Sequence, residues 1–138
     1  MPAAYRIDQA LDLSVNVWHR DITTQDWLDQ LLRLAADPDF PASRTLIDMT
    51  TVGEFVFPDV ELVDELVGDD LARGTIPDVL VVVVPTRVST KYVRGEAARR
   101  GFRAEIFPDL EAACRYLDVD APLLGAIVDD LRRVIDSA

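Results

Sequence analysis

The sequence predicts an α/β fold: one small domain built on a mixed, mostly parallel sheet flanked by helices. Three features carry that expectation. Short β-branched or apolar runs alternate with amphipathic helical stretches along the whole chain. The run Val79-Leu80-Val81-Val82-Val83-Val84 is apolar at every position, as in a strand covered on both faces, and both-face burial is the mark of parallel sheets under helices. The length, 138 residues with 49% hydrophobic and 28% charged side chains, suits a single core rather than two or a disordered chain.

The elements follow in order. Tyr5 and Ile7 alternate with polar neighbours. Leu11, Leu13, Val15 and Val17 then alternate with Asp12, Ser14, Asn16 and Trp18, the period of a strand with one buried face. Two short strands with a turn near Gln9 and Ala10, or one bent strand, satisfy this pattern. Thr23 three residues before Asp26 reads as a helix start, because a threonine oxygen accepts a first-turn amide and a carboxylate favours the positive end of the helix dipole. Trp27, Leu28, Leu31, Leu32, Leu34 and Ala35 supply the buried stripe, and Asp37-Pro38 ends the helix.

Thr45 to Met49 suits an interior strand that presents Asp48 at its carboxyl end, with Thr50, Thr51 and Gly53 forming a loop. Pro58 opens a second helix reaching about Gly74, apolar at Val60, Leu62, Val63, Leu66, Val67 and Leu71 and acidic on its other side. After the valine-rich strand come a weakly apolar helix over 89–100, a short strand over 102–107 and a short helix placing Leu110, Ala113, Cys114 and Leu117 on one side. Asp120-Ala121-Pro122 opens a last helix. The domain proper is expected over residues 1–120. The helix over 121–138 carries an apolar stripe of Leu123, Leu124, Ile127, Val128, Leu131, Val134 and Ile135. That stripe packs either on its own sheet or, through residues 122–136, on a second copy in a homodimer.

Charge and motif content narrow the function. Net charge is −11, from 14 lysine plus arginine against 25 aspartate plus glutamate, so nucleic acid is not an expected partner. No apolar run reaches the roughly 20 residues of a membrane span, and the N-terminus lacks a signal-peptide plan, which gives a cytoplasmic expectation. One region opposes the overall sign. Arg87, Lys91, Arg94, Arg99, Arg100 and Arg103 face Glu96 alone between residues 87 and 103, a cluster suited to a phosphate or an acidic partner, or simply to solvent.

No catalytic constellation is expected and no cofactor or metal is called for. The single histidine, His19, has no second histidine or cysteine near it in sequence, and Cys114, the lone cysteine, sits among apolar helix neighbours as a core thiol. The six glycines form no phosphate-binding loop, and the carboxylates of residues 59–70 lie on a solvated helix face. Ligands of open α/β sheets gather beyond the strands' carboxyl ends. The candidate residues there are Asp48, Thr50 and Thr51 after one strand, and Thr86, Arg87, Ser89, Thr90, Lys91, Tyr92 and Arg94 after the valine run. Ser89 and Thr90 also serve as helix caps. An anion would take the helix-start amides with Arg87, Lys91 and Arg94.

The segment Thr45-Leu46-Ile47-Asp48-Met49-Thr50-Thr51-Val52 resembles the strand-then-DLSGV element of STAS domains, the anti-sigma-factor-antagonist fold. The SpoIIAA-like subgroup offers further likenesses. Arg20-Asp21-Ile22-Thr23 resembles its G-x-I-T helix start without the glycine, and Tyr92 and Arg94 match its tyrosine and arginine after the valine-rich strand. Ile106-Phe107-Pro108-Asp109-Leu110-Glu111-Ala112-Ala113-Cys114-Arg115-Tyr116-Leu117 resembles its closing vF-x-d-x-x-eA-x-x-WL pattern. The likeness spans about residues 5–117 and implies a non-enzymatic module that binds a protein partner, some relatives binding nucleotides or lipids instead. In phosphoswitch members a serine or threonine starts the helix after the DLSGV strand. Here that region is Phe55-Val56-Phe57-Pro58-Asp59, with no hydroxyl, so the phosphoswitch does not carry over. Phe55 and Phe57 either staple the following helix or form an apolar lip.

The leading expectation is thus a binding or regulatory module for a protein partner. The alternative is a carrier of a small amphipathic, lipid-like or anionic ligand, its tail against residues 55–63 and its head near residues 87–94.

Overall fold

The computed structural model describes residues 2–40, 44–54, 79–85, 87–99 and 103–137. The helix expected over 58–74, with Phe55 and Phe57, and the candidate Thr86 lie outside the described residues. Among these residues the order is β1 (Ala3–Asp8), β2 (Leu13–Arg20), α1 (Thr24–Ala36), β3 (Arg44–Val52), β4 (Val79–Val83), α2 (Thr90–Arg99), β5 (Glu105–Phe107), α3 (Leu110–Leu117) and α4 (Ala121–Ser137). The strands form one five-stranded mixed sheet in the order β1-β2-β3-β4-β5. β1 and β2 make an antiparallel hairpin, and β2, β3, β4 and β5 run parallel.

The hairpin resolves the choice at Gln9 and Ala10 in favour of a turn. Asp8 accepts the Leu11 N–H on Oδ1 at 3.0 Å, and Asp12 takes a left-handed φ of 48°, a conformation aspartate tolerates better than most side chains. Leu11 therefore belongs to the turn and not to the strand. β2 itself departs from the one-face expectation. Its alternate residues Ser14, Asn16 and Trp18 are as deeply buried as Leu13, Val15 and Val17. Two helical layers account for this, because the polar pair is covered by α1 and internally bonded. Asn16 donates to Ser14 Oγ at 3.0 Å and accepts from the buried Gln30 at 3.3 Å.

α1 begins as its sequence predicts. Thr23 Oγ1 accepts the Asp26 N–H at 3.2 Å and Asp26 Oδ2 accepts the Thr23 N–H at 2.8 Å, a reciprocal capping box. Its inward face is Trp27, Gln30 and Leu34, rotated from the expected all-apolar stripe, and Leu32 is 47% exposed. The rotation is set by the demand of Asn16 for a buried polar partner and by Trp18, whose ring lies 4.5 Å from that of Trp27.

The valine run is interior as expected, with β4 between β3 and β5 and β3 at the centre of the sheet. Val81 and Val83 join Leu13, Val15, Val17 and Leu46 beneath α3 and α4, while Val82 and Val84 join Trp18, Trp27, Met49, Val93 and Ile106 on the opposite side. The two faces thus have separate cores. α4 lays Leu124, Ile127, Val128, Leu131 and Ile135 onto its own sheet, each at most 6% exposed, and each such burial is worth about 2 kcal/mol. Of its two expected coverings, the chain's own sheet is the one this stripe takes. Only Leu123 and Val134, at 46% and 59%, are left on the outer side. Among the described residues no helix is long and apolar enough to cross a membrane.

Candidate functional site

β3 is longer than its sequence predicts, and the difference builds a site. Instead of forming a loop, Thr50 and Thr51 continue the strand to Val52. Asp48, expected at a strand end, is therefore interior, fully buried beside Val17 of β2 and Val83 of β4. Its register partners reveal an irregularity. Val17 pairs with Asp48 but His19 pairs with Thr51, so β3 carries one extra residue over this step. Such a bulge breaks the period of two and turns Thr51 to the side of the sheet that its neighbour Thr50 also faces. Thr50 there meets α4 through Arg132, while Thr51, exposed, meets His19 beside the helix.

Two polar assemblies occupy that space. In the first, Asp48 Oδ1 accepts from the Thr50 N–H at 3.1 Å, the Thr50 hydroxyl at 2.7 Å and Arg132 Nη2 at 3.0 Å. Arg132 Nη2 also donates to Thr50 Oγ1 at 2.7 Å and its Nη1 pairs with Asp129 at 3.4 Å. The Asp48 side chain is 1% exposed and that of Arg132 25%. Asp48 Oδ2 and Arg132 Nε are enclosed with no hydrogen-bond partner among the described residues. A buried carboxylate needs a counter-charge, and α4 provides it.

In the second, His19 Nδ1 lies 2.8 Å from Thr51 Oγ1 and its Nε2 lies 3.1 Å from Asp136 Oδ1. Arg20 Nη2 donates to the same Asp136 oxygen at 2.5 Å. Arg132 and Asp136 are one helical turn apart, so a single edge of α4 serves both assemblies. His19, read from sequence as partnerless, is bonded through both ring nitrogens.

The remaining candidates do not converge with Asp48 and Thr50. Arg87 directs Nη2 to the backbone carbonyls of Val52, at 2.9 Å, and Gly53, fastening the end of β3. Arg94 Nη2 reaches the Ile106 carbonyl at 3.4 Å. Ser89 Oγ accepts the Tyr92 N–H at 3.2 Å, the capping role. α2 packs Val93 into the core on the side of the sheet opposite α4, so the candidate set divides between two faces. Of the three cations expected around an anion, Arg87 and Arg94 each give one Nη2 to backbone oxygens. Lys91 and Tyr92 instead stand outward on α2. With Ser89, Gly95, Glu96 and Arg99 they line a shallow groove of about 520 Å³, and Tyr92 is 65% exposed. Arg99 pairs with Glu96 one turn back.

Cys114 is 2% exposed, and burial, assisted by the Asp120 and Glu111 carboxylates, pushes its thiol above its ordinary 9.0. Tyr5, which donates to Asp37 Oδ2 at 2.8 Å, is raised above 10.0 by burial first and by that carboxylate second. Among the described residues no group of three histidine, cysteine or acidic side chains is placed to hold a metal ion.

The sequence offered Thr51 beside Asp48 and Thr50 but missed Arg132, Asp136 and His19 as site residues. A faint signal existed: Arg132 and Asp136 each directly follow a residue of the buried stripe, Leu131 and Ile135, and so border the sheet. Comparison of the chain with family models, with curated proteins and with solved structures finds no match.

Proposed function

We propose that the chain is a binding or regulatory module that engages an acidic surface of a protein partner through the outward side of α2. The observation that carries this reading is Tyr92, 65% exposed in a groove it shares with Lys91 and Arg99. An exposed aromatic beside cations is the composition of an interface anchor, and its local charge opposes the −11 of the whole chain. Lys91 has no ion-pair partner among the described residues, so its charge is available to another molecule. The resemblance of residues 45–52 and 106–117 to SpoIIAA-like STAS domains supports the same class of role. The amphipathic-carrier reading has less behind it, because Arg87 and Arg94, its expected head-group cations, bind backbone carbonyls.

The test compares the natural chain with Lys91→Glu/Tyr92→Ala/Arg99→Glu as bait in quantitative co-purification at low and high salt. A protein retained by the natural chain, lost from the variant and weakened by salt is expected. Equal retention by both, or an inert monomer in sedimentation with nothing retained, overturns the reading.

A further inference from the structure

The second assembly under α4 has an order of groups that binding does not call for. An ionised carboxylate only accepts hydrogen bonds, so the proton between His19 and Asp136 belongs to His19 Nε2. A neutral imidazole has one ring proton. Its Nδ1 is then the acceptor, and the hydroxyl of Thr51, 2.8 Å away, is the donor. Carboxylate, imidazole and hydroxyl follow one another as in base-activated nucleophiles, where the carboxylate fixes the ring and the ring receives the hydroxyl proton.

The backbone is bent to make this array. The extra β3 residue between Asp48 and Thr51 is what brings the Thr51 side chain beside His19. Arg20, directly after His19, holds a left-handed φ of 71°, a conformation that strains a non-glycine residue. Strand irregularity and strained backbone both fall on the residues flanking the imidazole. Thr51 is exposed, and the His19 side chain is 20% exposed, so an incoming carbonyl can reach the hydroxyl.

We propose that Thr51 is a base-activated acyl acceptor that takes an acyl group from a thioester or an aryl ester. Thr51 Oγ1 adds to the carbonyl carbon while its proton passes to His19 Nδ1. Asp136 stabilises the resulting imidazolium. The adduct collapses by breaking the carbon–sulfur or carbon–oxygen bond, and the departing thiolate or phenolate recovers the proton from His19. The products are Thr51 esterified at Oγ1 and a free thiol or phenol, with no change of oxidation state. Arg20 holds the carboxylate in position but draws on its charge, so Asp136 is a positioning residue and His19 the base. This inference is independent of the α2 surface, which lies across the sheet.

The full chain is incubated with p-nitrophenyl acetate and, separately, with S-acetyl-N-acetylcysteamine, and the modified residue is mapped by peptide mass spectrometry. One acetyl group on Thr51 is expected from both donors. His19→Gln lowers the labelling rate about 100-fold, the scale of general-base assistance, and Asp136→Asn lowers it by less. Thr51→Ser keeps the label at position 51 and Thr51→Val abolishes it, with circular dichroism confirming that each variant is folded. Acetylation confined to lysines, or labelling of Thr51 at the same rate in a folded His19→Gln chain, overturns the proposal.

Discussion

Replacing Arg132 with methionine keeps the aliphatic stem against the sheet and deletes the guanidinium that neutralises Asp48. The carboxylate, 1% exposed, would retain the two Thr50 donors on Oδ1 but keep no cationic partner among the described residues. Removing one member of a buried pair costs roughly 3–5 kcal/mol. Because Arg132 is 25% exposed and Thr50 continues to solvate Oδ1, the lower end, about 3 kcal/mol, is expected. In urea, with a slope near 1.5 kcal/mol/M, that moves the midpoint down by about 2 M, and by heat it lowers the midpoint by about 10 °C. Asp48→Asn added to Arg132→Met removes the stranded charge and should recover at least half of the loss. The full double-mutant cycle should therefore show a coupling of about 2 kcal/mol. A loss under about 1 kcal/mol, or strictly additive variants, would show that the pair behaves like an exposed one and refute its role in fastening α4 to β3.

Other outcomes follow from single features. Thr23→Ala removes the capping box of α1 and should cost about 1 kcal/mol, seen as a midpoint about 4 °C lower; an unchanged midpoint would mean the cap adds nothing beyond packing. Asp118→Gly should stabilise by about 1 kcal/mol, because residue 118 ends α3 at φ 56° where glycine has no side-chain penalty; lower stability would assign the aspartate a bond of its own. Cys114 should react with a thiol reagent far more slowly in the native chain than in urea, and rapid native labelling would contradict its burial. Its raised pKa also links to stability. Above the unfolded thiol's ordinary 9.0 the unfolded chain loses a proton that the native chain keeps, so stability should fall as pH rises through that value. Cys114→Ala should flatten the part of the alkaline decline that begins there, leaving the Tyr5 contribution, which starts above 10.0.

Local rules recovered much of the architecture because the relevant forces act over a few residues. The Thr23–Asp26 cap, the Asp37-Pro38 stop, the doubly buried valine strand and the apolar stripe of α4 all rest on spacing along the chain. Periodicity reports burial only by assuming that polar means outward. It therefore misassigned β2, where Ser14 and Asn16 are buried because Gln30, 14 residues beyond Asn16, completes their hydrogen bonds.

The candidate site was legible only in part for a similar reason. Asp48 and Thr50 stood out by their place after a strand, but Arg132 reaches them from 84 and 82 residues away, a meeting that only the packing of α4 on β1 and β2 produces. Composition, length and period thus determined the class of fold, the sign of the charge and the helix that must find a covering. Tertiary structure decided which side chains meet. One extra residue in β3 reverses the facing of everything after it, and no pattern read along a single strand reveals that shift, because register is a relation between two strands.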